Sequence, residues 1–186
     1  MYDNRGLRLL GINKGVKMKD VVVIIGSAPN WEHDLNNFRC MTEDYDIIAV
    51  GMSCPYSGYV DYMATYHSKD IEVYKRKREE LGLNTDYKVI SHLNTKENSV
   101  DIVIPYKPPS GSSALLAAFA AKKIGYKKIV LCGCPLEGAN ARKAPYEVFR
   151  KGWNHYKDEV IGIVKSMSGW TRQLLGEPSL KWYKGE

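Results

Sequence analysis

Val21-Val22-Val23-Ile24-Ile25 runs directly into Gly26-Ser27-Ala28-Pro29-Asn30. Five successive β-branched residues with no polar interruption predict a strand buried on both faces, the pattern of a strand inside a parallel sheet. Gly, Ser and Pro then stop it abruptly. The same grammar recurs downstream. Asp46-Ile47-Ile48-Ala49-Val50 ends at Gly51, and Ile129-Val130-Leu131-Cys132 ends at Gly133-Cys134-Pro135. Helical stretches lie between such strands. Residues 70–82 carry Lys, Arg and Glu at helical spacing and stop at Gly82; residues 114–124 are rich in Ala and Leu and stop at Gly125. Strands alternating with helices predict βαβ units. The fold class is therefore α/β, a Rossmann-like three-layer α/β/α arrangement on a mostly parallel sheet.

Weaker signals fill the remainder. Residues 31–40 read as a short helix, 61–67 as an alternating third strand, and 87–91 and 101–104 as two more short strands. Phe149, Trp153, Tyr156, Val160 and Ile163 are spaced four, three, four and three, which predicts one long helix over 146–165. Residues 168–175 read as a last short helix before a polar tail. Residues 1–19 form a basic lead-in, and 20–186 read as a single nucleotide-binding-type α/β domain without repeat or linker.

Composition narrows the function classes. The 186 residues are 44% hydrophobic and 26% charged, ordinary for a globular chain that buries a core without disulfides or metals. The four cysteines include no second pair to complete a zinc site and read as reduced, buried thiols. No apolar run is long enough to span a bilayer, and Met1–Gly6 is polar, so the expected location is cytoplasmic. The net charge is +6, and a basic surface can attract nucleic acid, membrane or anionic small molecules. No nucleic-acid-binding motif is present. Lys75, Arg76, Lys77 and Arg78, followed by Glu79 and Glu80, read as a solvated helix face. A homo-oligomer stays open as an assembly state.

Two junctions have the character of ligand sites. Gly26, Ser27, Ala28, Pro29 and Asn30 follow the first strand, and parallel sheets bind ligands beyond the carboxyl ends of their strands. A turn of small residues lets a phosphate approach backbone N–H groups. The stretch is neither G-x-G-x-x-G nor a Walker loop. The second junction, Ser110, Gly111, Ser112 and Ser113, opens a helix, and N-capping needs only one of the three serines. His67 and His155 are the acid–base candidates, since imidazole titrates near neutrality. His155 faces away from the apolar stripe of its helix; His33 and His92 sit in loop-like positions. No G-x-S-x-G elbow and no acidic metal cluster can be read.

Val21–Pro29, and residues 110–135 (S-G-S-S-A-L-L-A-A-F-A-A-K-K-I-G-Y-K-K-I-V-L-C-G-C-P), resemble the two conserved blocks of the bacterial sialyltransferase-like superfamily. That superfamily joins sialyltransferases using CMP-activated sugars to a related family that includes archaeal hydroxymethylpterin pyrophosphokinases. The resemblance implies that Gly26, Ser27, Ala28 and Pro29 line nucleotide phosphates. It also implies that Ser110, Gly111, Ser112 and Ser113 hold the nucleotide with Gly133 at the base, and that His155 is the general base. The implied function is a transferase with a nucleotide-activated donor, most simply a glycosyltransferase with a CMP-sugar as substrate and no other cofactor. The alternatives are an ATP- and Mg²⁺-dependent pyrophosphokinase-like transferase and a non-catalytic nucleotide-binding member. Pro135 stands where the family carries an acidic residue, and Gly51 where it carries asparagine. Residues 166–178 resemble the tails of short proteins from phages and their hosts.

Overall fold

The computed structural model describes residues 19–94, 99–109, 112–137 and 146–186. Most of the expected lead-in, and Ser110 and Gly111 of the serine turn, lie outside these residues. Seven strands form one sheet: β1 (Val21–Ile25), β2 (Asp46–Val50), β3 (Tyr62–Ala64), β4 (Lys88–Ser91), β5 (Ile102–Val103), β6 (Lys128–Cys132) and β7 (Val164–Ser166). Their order is β5-β4-β3-β2-β1-β6-β7, and every pairing is parallel. Among the described residues, seven α-helices accompany them. They are α1 (Trp31–Arg39), α2 (Ile71–Glu80), α3 (Ser113–Ile124), α4 (Tyr146–His155), α5 (Lys157–Val160), α6 (Gly169–Leu175) and α7 (Leu180–Lys184). The expected α/β class is the one observed, with the sheet wholly parallel.

The apolar run that predicts β1 also fixes its place. All five residues are buried, and the strand is paired on both sides, to β2 in the register Ile25↔Ala49 and to β6 in the register Ile25↔Cys132. Alternation divides its side chains between two layers. Val22 and Ile24 pack with the α3 residues Leu115, Leu116 and Phe119 and with Trp153 of α4. Val21, Val23 and Ile25 pack with Leu35 and Phe38 of α1, and Trp182 and Tyr183 of α7 join them.

From β1 the chain steps outward through β2, β3, β4 and β5. α3 then returns it to the opposite side of β1. At one end of α3 the Tyr66 backbone N–H, just past β3, donates to Ser113 Oγ at 3.3 Å. At the other, Lys127 N–H donates to Asp20 O at 3.0 Å, and Tyr126 Oη donates to Asp46 Oδ2 at 2.6 Å. The helix therefore runs from the tip of β3 to the feet of β1 and β2. The order of strands reverses between β1 and β6, which is where open α/β sheets leave a crevice.

Four expectations change. The third strand covers only Tyr62–Ala64, because Thr65 leaves the β2 pairing and its carbonyl takes the Ser91 hydroxyl at 2.8 Å. The long helix over 146–165 divides into α4, α5 and β7. The apolar stripe continues through the break, so periodicity alone cannot see it, and Gly162 sits where the chain turns into β7. The polar tail carries α7, capped by the Ser179 side chain accepting from Trp182 N–H at 3.1 Å.

The fourth change is Arg78. It is fully buried rather than part of a solvated face. Nε donates to Asn84 O (2.7 Å), Nη1 to Cys54 O (2.6 Å) and Ser57 O (2.8 Å), and Nη2 to Gly58 O (2.7 Å) and Asn84 Oδ1 (2.6 Å). Five acceptors for five N–H groups make the burial of a guanidinium tolerable. The side chain thereby ties the β2–β3 loop to α2. Burial pushes the neighbouring Cys54 thiol up to about 11, with Arg78 pulling the other way. Among the described residues, no helix is long and apolar enough to cross a membrane.

Candidate functional site

The carboxyl edge of the sheet has two halves. Over β1, β6 and β7 it is sealed. Gly26 N–H donates to Cys132 O at 2.8 Å and Ala28 N–H to Gly133 O at 3.2 Å, so two amides of the first turn are engaged within the protein. A Cβ on Gly26 would stand 2.3 Å from Gly133 O, and one on Gly133 (φ +66°) would stand 2.4 Å from Trp31 Cβ. These glycines let the tips of β1 and β6 touch beneath Trp31. Asp34, on the buried face of α1, closes the arrangement. Its Oδ2 accepts from Ser168 Oγ (2.6 Å), Gly133 N–H (2.9 Å) and Asn30 Nδ2 (3.1 Å). Asn30 Nδ2 also reaches Ser168 Oγ at 2.9 Å. Cys134 is held as a neutral thiol, pushed up to about 12 by burial and by Asp34; burial raises Cys132 in the same way, so neither is a ready nucleophile.

Over β2 the edge leaves space, and past β3, β4 and β5 three rings gather. Gly51 (φ +53°) ends β2, and a Cβ there would meet nothing within 4 Å. Ser53 Oγ donates to Ile25 O at 2.6 Å and accepts from Val50 N–H at 3.0 Å, locking the tips of β1 and β2 together just below that space. Past β3, Tyr66 carries Ser113 on its amide, and His67 is exposed with its N–H on Thr65 Oγ1 at 2.9 Å. His92 follows β4, and Tyr106 follows β5. The Tyr66 ring lies 5.2 Å from His92 and 5.7 Å from Tyr106. The His92 pKa is lowered, first by burial and then by the nearby His67.

The predicted residues divide between these halves. Gly26, Ala28, Asn30 and Gly133 belong to the sealed half, where their bonds join strand tips. Ser27 and Pro29 of the same turn are exposed on its rim. Ser112 is buried and caps α3, its Oγ accepting from Leu115 N–H at 3.4 Å, and Ser113 is engaged by Tyr66. Ser27 and the start of α3 share the carboxyl edge, β1 and β3 being two strands apart, on the order of 10 Å. His67 stands on the same edge.

His155 lies at the end of α4, next to Tyr156, whose Oη donates to Pro108 O at 2.7 Å, two positions before Ser110. Its exposed ring packs edge-on against Tyr156 with centroids 4.6 Å apart. Five residues earlier, Arg150 donates to Leu136 O near the edge; four residues later, Glu159 O accepts from Lys122 in the last turn of α3. Helices α4 and α5 thus descend toward the feet of the strands, and His155 lies partway down. His33 is on α1 rather than in a loop, with Nε2 at 3.0 Å from Asn37 Nδ2. Cys40 is exposed, unlike the other three cysteines.

Sequence reasoning did not find Asp34, Ser53, Tyr66 or Tyr106. An acidic residue in the first turn of a helix reads as a partner of the helix dipole, and nothing local announces that Gly133, 99 positions away, donates to it. A groove of about 320 Å³ between Met52, Pro55, Tyr56 and the α2 residues Val73, Tyr74, Arg76, Lys77 and Glu80 contains none of the predicted site residues. Among the described residues, no group of three or more His, Cys, Asp or Glu side chains gathers as a cation site.

No family model matches the chain, and no curated protein matches it. Among solved structures, it is similar to the sialyltransferase CstII from Campylobacter jejuni, determined in complex with a substrate analogue, CMP-3FNeuAc. The TM-score is 0.52 at 13% identity, with 90% of this chain and 98% of that chain covered. The likeness is one of fold: the chain has an α/β arrangement of the kind found in a sialyltransferase.

Proposed function

We propose that the half of the carboxyl edge over β2 to β5 binds a nucleotide-activated sugar and that the protein transfers that sugar to a hydroxyl acceptor. The observation carrying this reading is the open space at Gly51, on the carboxyl edge that also carries Ser27, in the turn after β1, and the amino end of α3 beside β3. Ser27 supplies a hydroxyl, and the α3 end supplies backbone N–H groups and the positive end of its dipole to a phosphate. The fold likeness to a protein solved with a CMP-sugar analogue supports the donor class.

In the proposed reaction the bond between the sugar's anomeric carbon and the nucleotide phosphate oxygen breaks, and the nucleotide leaves with the bonding pair. The acceptor oxygen forms the new bond to carbon. His67 takes the acceptor proton, because it is the candidate histidine standing on this edge. Ser110 and Gly111 complete the donor turn in this reading, and His155 serves on the flank of the helical layer rather than at the reacting carbon. The expected location remains cytoplasmic and the partner a nucleotide-containing small molecule.

Calorimetric titration with CMP, UMP, GDP and ATP, each with and without Mg²⁺, tests the donor class. Micromolar to millimolar binding of a pyrimidine nucleotide without metal is the expected result. Binding of ATP alone, and only with Mg²⁺, would move the reading to pyrophosphoryl transfer. No binding at millimolar concentration would overturn it. Gly51 and Pro135, where the resembled family carries asparagine and an acidic residue, favour a second reading, a nucleotide-binding protein without transfer chemistry. Nucleotide binding with no release of CMP from a CMP-activated sugar across an acceptor panel would support it.

A further inference from the structure

Away from the proposed nucleotide position, a groove of about 320 Å³ runs between the β2–β3 crossover and α2, room for a small organic molecule. Its first wall is the crossover, which leaves Gly51 and presents Met52, Pro55 and Tyr56. That wall is fixed from beneath. Arg78 Nη1 donates to Cys54 O and Ser57 O and Nη2 to Gly58 O, on both sides of Tyr56 in the chain, and Ser57 Oγ donates to Ser53 O at 2.8 Å. The second wall is α2. Val73, Lys77 and Glu80, spaced four and three, line the groove from one face of that helix, while Ile71 and Arg78 are buried. Met52 is 68% exposed, Tyr56 61% and Val73 50%. Three large apolar side chains held in water around one groove, on a crossover bonded this firmly and on the helix facing it, contribute little to the core and mark a binding surface.

Charge chooses the occupant. Lys77 Nζ is paired with Glu80 Oε2 at 3.0 Å, so these two cancel. Arg76, which also lines the groove, is exposed and makes no ion pair among the described residues. The apolar walls therefore carry one uncompensated guanidinium. We infer that the groove is a binding site for a small anionic amphiphile, its aryl or alkyl body lying between Tyr56 and Val73 and its carboxylate or phosphate meeting Arg76. A guanidinium takes either anion through paired N–H groups. Tyr56 offers a ring face, and Met52 a thioether that adapts to the shape beside it. The groove begins one residue past Gly51 and continues along α2, so its occupant lies beside the proposed nucleotide and not in its place.

The test is a methyl and aromatic ¹H–¹³C spectrum of the full chain, titrated with naphthoate, naphthyl phosphate and the uncharged naphthylmethanol, and separately with CMP. The two anions should move the Met52 and Val73 methyl signals and the Tyr56 ring signals with dissociation constants of about a millimolar. They should leave the methyl signals of Val148 and Leu180, exposed elsewhere, unmoved. The alcohol should bind about fivefold more weakly. Arg76→Gln should bring the anions down to the level of the alcohol, and Tyr56→Ser should weaken all three roughly tenfold. Both residues are exposed, so both variants should keep the wild-type amide spectrum elsewhere. A preference for the carboxylate or for the phosphate that disappears in Arg76→Gln supports the site and identifies the anion. Anions that move Val148 and Leu180 equally, bind no better than the alcohol or ignore both substitutions would overturn the site, as would CMP displacing them from it. Failure of CMP to bind the wild type sinks the nucleotide reading alone, because the naphthyl probes report on the groove without it.

Discussion

The two halves of the carboxyl edge are built from the same kind of residue and put to different use. Over β1, β6 and β7, small residues bring backbones together: Gly26 and Gly133 touch, and Asp34 Oδ2 gathers three donors. Over β2 to β5, Gly51 leaves space, His67 is exposed, and His92 Nδ1 makes no hydrogen bond among the described residues, while Ser27 is exposed on the rim beside them. A glycine after a strand is thus no evidence of a ligand by itself. What distinguishes the halves is whether the donors and acceptors nearby already have partners.

That contrast predicts where substitutions act. Gly133→Ala is expected to have the largest effect, costing about 3 kcal/mol or more. The new Cβ collides with Trp31 and the backbone holds a left-handed conformation. Urea unfolding checks it; an unchanged midpoint would show that the tips of β1 and β6 are not sealed. Asp34→Ala should follow, at about 2–4 kcal/mol, since Gly133 N–H, Ser168 Oγ and Asn30 Nδ2 lose their shared acceptor. Nucleotide affinity measured under conditions where the variant is still folded should change little, because the nucleotide is proposed to lie over the other half.

Ser27→Ala should reverse that pattern. The residue is exposed, so unfolding stays within about 0.5 kcal/mol of wild type, while nucleotide affinity falls by about 1.5–3 kcal/mol if its hydroxyl meets a phosphate. A loss of stability with no loss of affinity would place Ser27 in the sealed half. Ser112→Ala removes the α3 cap and should cost about 1 kcal/mol. The smallest effect concerns pH. The His92 pKa is lowered in the folded protein, first by burial and then by His67. Below about 6.5 the unfolded chain binds a proton there that the folded chain does not, so stability is full above that pH and declines as pH falls through the folded value. His92→Phe should flatten the fall of the unfolding midpoint below about pH 6.5; a slope equal to wild type would show that His92 is not sheltered.

The sheet was readable because its central strands are unbroken apolar runs, which only burial on both faces explains. The tips were readable because Gly and Pro, clustered with Ser, punctuate strands. What a tip does was not readable. Whether Gly26 faces a ligand or Gly133 depends on a pairing across more than 100 residues. Arg78 lies in a run of four basic residues, and only the paths of the β2–β3 and α2–β4 loops decide that its five N–H groups meet carbonyls rather than water. β7 was hidden because three residues carry no period of their own and follow a helical stripe. His155 was chosen by chain order under the family resemblance, whereas position on the carboxyl edge is a property of the assembled sheet.

The direct test of the central claim is a structure of the protein soaked with CMP. The account predicts the phosphate over Gly51, within hydrogen-bond distance of Ser27 and facing the amino end of α3, with Asp34 and its three donors undisturbed. A nucleotide seated in the groove between Tyr56 and α2, or inserted between β1 and β6 by breaking the Asp34 contacts, would contradict it.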